Sequence, residues 1–172
     1  MAHAQNKNII KAELNGDTKE IRIQHELSYT NTSNHILQYI YLNDWAHAYS
    51  DKNTGLAQRF GEEFKKSLHL ARDQERGHTT IISAVDDEYR GLKWTRTREK
   101  DIIRVELNRP LFPGKTATLF LTYVVKLPHS KFTSYGYDDK GYYYLKDWYL
   151  SPSVYDGDWH IYSNKNLDDI HT

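Results

Sequence analysis

Ile21-Arg22-Ile23-Gln24-His25-Glu26-Leu27-Ser28-Tyr29-Thr30 decides the fold class. Ile21, Ile23, His25, Leu27 and Tyr29 alternate with polar residues, a period of two that gives one face to a core and the other to water. Before it, Asn15-Gly16-Asp17 is a hairpin turn signal that pairs 9–14 with 21–29. After it, 31–34 is a polar turn, and 35–42, apolar on both phases, is expected to be a strand buried on both faces. Another clear strand follows the turn Pro113-Gly114-Lys115, with Leu119, Leu121, Tyr123, Val125 and Leu127 on one phase. Strands are also expected at 79–85, 91–97 and 102–107, with charged tips at 86–90 and 98–101. The Gly- and Tyr-rich stretch 135–144 reads as a loop followed by a short strand. Prolines 110, 113, 128 and 152 fall at segment boundaries, where a missing amide does least harm.

Between these strands the period changes. Leu56, Ala57, Phe60, Phe64, Leu68 and Ala71 recur at three- and four-residue steps, the stripe of an amphipathic helix over about residues 54–72. Asn53 or Thr54 can cap its start, and Gly77 lies beyond its end. The chain therefore reads as all-β, an antiparallel sandwich or saddle with one helical insertion.

Composition removes several function classes. Lys plus Arg and Asp plus Glu both total 23, so the 172-residue chain carries no net charge and lacks the basic excess of a nucleic-acid binder. No apolar run is long enough to insert in a membrane as a helix. With no cysteine there is no disulfide and no thiolate metal site. Residues 1–7, with Ala2-His3-Ala4 at signal-peptidase spacing but no apolar stretch before it, read as a disordered N-terminus or a tag or signal remnant.

Catalytic patterns are missing. The sequence has no His-Glu-x-x-His, in which two histidines one turn apart bind zinc and the Glu activates water. His25-Glu26 is half of that motif, but strand alternation sends the two side chains to opposite faces, so His25 reads as a satisfied core or sheet-face histidine. Asp138-Asp139 and Asp156-Gly157-Asp158 lack the ligand spacing and closing Glu of a calcium loop and read as turns. Lys93 to Arg98, cations beside Trp94, reads as a solvated hairpin. No nucleophile elbow and no phosphate loop occurs. What remains is aromatic density: Tyr144, Asp147, Trp148, Tyr149, Tyr155 and Asp156 crowd together, and are either the candidates for the floor of a peptide or glycan cleft or part of a folded aromatic corner that holds the sheet's last strands.

Three segments carry a family resemblance. They are Trp45-Ala46-His47-Ala48-Tyr49 with Thr54-Gly55-Leu56-Ala57, then Pro110-Leu111-Phe112-Pro113-Gly114-Lys115, then Trp148 to Trp159. In that order they resemble the N-terminal saddle-shaped β domain of M1-family (gluzincin) zinc aminopeptidases, in particular a bacterial branch. The resemblance implies an M1-like β domain over 8–172 that ends before the family's domain does. It would be non-catalytic and would shape the peptide cleft of a zinc metallopeptidase. Zinc would reside in a catalytic domain absent from this chain, and the partners would be that domain and a peptide substrate. A periplasmic, cell-surface or secreted location is implied as well. The Glu or Gln with which such domains hold a substrate's amino terminus has no match in 142–147, where Asp147 is the one acid. The alternative is a stand-alone β-sandwich module that binds glycans or peptides through its aromatics.

Overall fold

Strands with one apolar face must bury it against something, and here two antiparallel four-stranded sheets bury theirs against each other. The computed structural model describes residues 6–161, 163 and 164. In chain order the strands are β1 (Lys7–Asn15), β2 (Glu20–Thr30), β3 (Leu37–Asn43), β4 (His78–Val85), β5 (Trp94–Arg96), β6 (Ile102–Leu111), β7 (Thr116–Lys126), β8 (Gly136–Tyr137), β9 (Tyr143–Tyr144), β10 (Ser151–Pro152), β11 (Val154–Tyr155) and β12 (Trp159–His160). One sheet has the order β1-β2-β7-β4, the other β10-β3-β6-β5. The small hairpins β8-β9 and β11-β12 complete the set. The expected all-β sandwich is the observed architecture.

The centre of the first sheet follows from matched alternation. In the β2–β7 register Ile21 faces Val125, Ile23 faces Tyr123, His25 faces Leu121 and Leu27 faces Leu119, so the buried phases coincide. The β1–β2 hairpin is closed by Asn15, whose Oδ1 accepts the Asp17 and Thr18 amides at 2.9 and 3.2 Å. At the far end, buried Asn31 ties the sheets together. Its Nδ2 donates to His35 O and Leu111 O at 2.7 and 2.9 Å, and its Oδ1 accepts from the Ser33 amide and hydroxyl. Every side-chain hydrogen-bonding position of that amide is used.

Several sequence expectations are corrected. The helix α1 spans Gly55–Glu62, not 54–72. Thr54, rather than Asn53, caps it, its Oγ1 accepting the Ala57 amide. Phe64 then turns into the left-handed region at φ 57°, while Lys65 N–H reaches Phe60 O at 2.7 Å and Phe64 N–H reaches Gly61 O at 3.1 Å. That is a Schellman stop, so the apolar stripe outlives the helix: Leu68 is buried from a turn, and Phe64 is thrown into solvent. Strand 91–97 shrinks to β5 because Leu92 N–H bonds back to Ala84 O. β3 is not buried throughout: Leu37, Ile40, Leu42 and Asn43 are buried, Tyr39 and Tyr41 are half-buried, and Gln38 is exposed. β6 continues through Pro110, which is therefore not at a boundary. Residues 135–144 hold two short strands, β8 and β9, instead of one. Of the expected disordered 1–7, residues 1–5 lie outside the described residues, as does the expected early end after 164; Lys7 opens β1.

Candidate functional site

A concave site forms where the turn Trp45–Tyr49 and α1 meet the loops before β8 and after β9. Its cavity is about 190 Å³. Tyr49 and Tyr135 form one wall, ring centroids 5.6 Å apart, with Trp45 and Leu56 beside them and Arg59, Lys146 and Asp147 supplying charge. The Tyr49 hydroxyl is hydrogen-bonded to that of Thr133. Burial pushes the Tyr49 and Tyr135 phenols up, so both stay protonated. The Tyr135 hydroxyl is buried with no hydrogen-bond partner among the described residues. The Arg59 guanidinium is held loosely, 3.8 Å from Glu63. Asp147 stands at φ 50°, a strained conformation for a non-glycine residue.

Beneath this site lies a buried polar network. Asp44, immediately before Trp45, is 2% exposed. Its Oδ1 accepts the Thr79 hydroxyl at 2.6 Å, and its Oδ2 lies 2.8 Å from Arg96 Nη2. The same Arg96 donates to Thr79 O and Lys100 O at 3.1 and 2.9 Å. The Thr79 amide in turn donates to His47 Nδ1 at 3.2 Å. Burial raises the Asp44 carboxyl, opposed by the Arg96 charge. Burial and then the charges of Arg96 and His78 hold His47 down at about 3, so it is a neutral acceptor. Asp101, fully buried, adds a strut: its carbonyl accepts the Asp44 amide at 2.8 Å and its Oδ2 accepts the Asn164 amide at 2.7 Å.

The sequence candidates do not converge. Asp147 lines the cavity. Tyr144 belongs to the β8-β9 hairpin, its hydroxyl donating to Asp138 Oδ2 at 3.2 Å. Trp148 packs against Tyr149 at 5.5 Å, and Tyr149 sets its ring against His25 at 6.1 Å. Tyr155 packs its ring at a tilt against Trp159 at 5.1 Å and shares a 2.9 Å hydrogen bond with His35 Nδ1. Asp156 faces His160 at 2.7 Å. The aromatic-rich tail therefore divides among three neighbourhoods, because β9 ties Tyr144 into one small hairpin and β11 ties Tyr155 into another, with Trp148 and Tyr149 in the connection between them.

Sequence reading missed Tyr49, Arg59 and Tyr135 as cavity walls, and Arg96 as the partner of the buried Asp44. Tyr49 and Leu56 did carry a signal, since both lie in the first family-like segment. Of the core and sheet-face readings of His25 the structure shows the core: 2% exposed, its Nδ1 3.2 Å from Tyr123 Oη and its Nε2 2.8 Å from Asn8 Oδ1.

No family model matches the chain, and no curated protein matches it. Among solved structures it is similar to a single-residue mutant of an M1 zinc metallopeptidase from Deinococcus radiodurans, at 18% identity and TM-score 0.39 over 63% of this chain and 17% of that one. The unmutated M1 zinc metallopeptidase from Deinococcus radiodurans gives 18% identity and TM-score 0.35 over 62% and 16%. A two-domain M1 zinc metallopeptidase mutant bound to L-tryptophan gives 16% and 0.38 over 71% and 19%. The chain thus spans less than a fifth of the structures it resembles. Such identities and scores describe a partial likeness of β architecture.

Among the described residues no three His, Asp or Glu side chains converge to hold a metal ion. The cavity is below the ~300 Å³ of ordinary small-molecule pockets, which suits one side chain or a chain end.

Proposed function

We propose that this chain is a non-catalytic β domain of an M1-like zinc metallopeptidase, and that the cavity beside Tyr49 and Tyr135 forms part of that enzyme's peptide cleft. The observation that carries the reading is convergence. Trp45, Tyr49 and Leu56 come from the first family-like segment and Asp147 lies directly before the third, yet the fold brings them around one cavity. Arg59 and Lys146 can meet a peptide carboxylate or carbonyl, Asp147 a cation, and the tyrosine rings an apolar side chain. Positioning of this kind lets another group act on a bound chain. The sequence has no His-Glu-x-x-His, and among the described residues no cluster of ligands fits zinc. Metal and hydrolysis are therefore assigned to a separate catalytic domain, the first partner. The family resemblance also supports a peptide substrate and a periplasmic, cell-surface or secreted location.

Metal analysis tests the assignment. The purified chain, dialysed without chelator, is expected to carry well under one zinc per chain and to leave short peptides uncut. One tightly held zinc per chain would sink the reading.

A further inference from the structure

The two four-stranded sheets have four edges, and three of them are blunted. β5 is three residues long and β10 two, while β4 is interrupted by an irregularity between Ile81 and Ser83. Short or bulged edges are poor templates for another strand. β1 has neither protection. It runs nine residues without proline, in unbroken register with β2 from Lys7 opposite Ser28 to Asn15 opposite Glu20, and all of it but Ile10 is exposed. Among the described residues no strand lies beyond it.

The sequence of β1 complements itself when read in the opposite direction. Set antiparallel about Ala12, Ile10 faces Leu14, Lys11 faces Glu13, and Ala12 faces its own copy. We propose that β1 pairs in this register with β1 of a second copy of the chain, about a two-fold axis at Ala12, joining the two first sheets into one. A two-fold contact of this kind closes on itself and stops at the dimer.

Next to the axis both faces of the pairing are consistent; further out Ile9 stands opposite Asn15. Ile10, Ala12 and Leu14 stand opposite His25, Ile23 and Ile21 in β2, so they share the core side of the sheet. Ile10 already packs against the core, and Leu14, 42% exposed, is apolar surface that a second copy would cover. Lys11 and Glu13 lie on the outer side, where each would meet the opposite charge across the new ladder. Neighbouring registers are worse. Centring on Lys11 or on Glu13 sets like charges across the axis, and centring on Ile10 sets Ile9 against Lys11 and Ala12 against Asn8.

Sedimentation equilibrium of the full chain tests this. The expected mass is about twice 20.3 kDa. Lys11→Glu, which places Glu against Glu twice, is expected to weaken the dimer about tenfold or more with the circular dichroism unchanged. The swap Lys11→Glu with Glu13→Lys is expected to restore it. Ala12→Cys gives an independent reading, because the chain has no cysteine of its own. Directly opposed strand residues have Cα atoms ~4.5–5.5 Å apart, within disulfide reach, so mild oxidation should yield a covalent dimer. A wild-type chain that stays monomeric at every concentration, a dimer indifferent to Lys11→Glu, or an Ala12→Cys chain that does not cross-link would overturn the proposal.

Discussion

Arg96 Nη2 lies 2.8 Å from Asp44 Oδ2, joining the edge strand β5 to the residue that opens the turn carrying Trp45 and Tyr49. The cavity wall rests on that contact, since Asp44 also holds Thr79 and, through the Asp101 carbonyl, the start of β6.

Removing one partner strands the other charge in the interior. Arg96→Met is expected to cost about 3–5 kcal/mol in urea unfolding at pH 7. Asp44→Asn with Arg96→Met should cost clearly less than the two single losses added together. Additive losses, or an Arg96→Met cost below about 1 kcal/mol, would show that the pair does not brace the turn.

A pH dependence follows from His25. Burial holds its pKa at about 4 against an ordinary 6.5. Above pH 6.5 the ring is neutral in folded and unfolded chain alike, and its contribution to stability is fully present. As pH falls from 6.5 towards 4 the unfolded chain takes up the proton and the folded chain does not, so stability is lost, about 3 kcal/mol in all. His25→Gln should flatten the stability profile over that window. Proton NMR should show the His25 ring titrating near pH 4; a midpoint near 6.5 would contradict the account.

How far the sequence reveals this molecule depends on what kind of signal each feature leaves. β2 and β7 were legible because alternation is a local property that both strands express in phase. The helix end was not, because the stripe through Phe64 and Leu68 keeps its spacing after the backbone has turned. Arg96 reads from sequence as part of a solvated hairpin, and no spacing rule links it to Asp44 more than fifty positions away. The six site candidates lie near one another in sequence, and the two hairpins that hold Tyr144 and Tyr155 away from Asp147 are too short to register as a pattern.

That helix end yields a stabilising change. Phe64 occupies the left-handed position of the Schellman stop with its ring exposed, a place that glycine fills without strain. Phe64→Gly is expected to stabilise the chain by about 0.5–1 kcal/mol in thermal unfolding. A loss of stability would mean that the ring has a partner worth more than the backbone strain.

Gly136 shows the opposite case. It sits at φ 114°, and a Cβ there would lie 1.8 Å from Pro128 O. Gly136→Ala must move backbone, with an expected cost of about 2 kcal/mol or more. Because Tyr135 is its neighbour, the Tyr135 wall should loosen as well, visible as shifted ring resonances of Tyr49 and Tyr135. A folded variant with wild-type stability and spectra would refute the tight approach of β8 to Pro128.

The central claim, that this chain builds the cleft of a larger metallopeptidase, is tested most directly by the size of the native product. An antibody raised against the chain would be used to probe an extract of the source cells. The account predicts a band several times larger than 20.3 kDa. A single band near 20.3 kDa would contradict it and leave a module that acts alone.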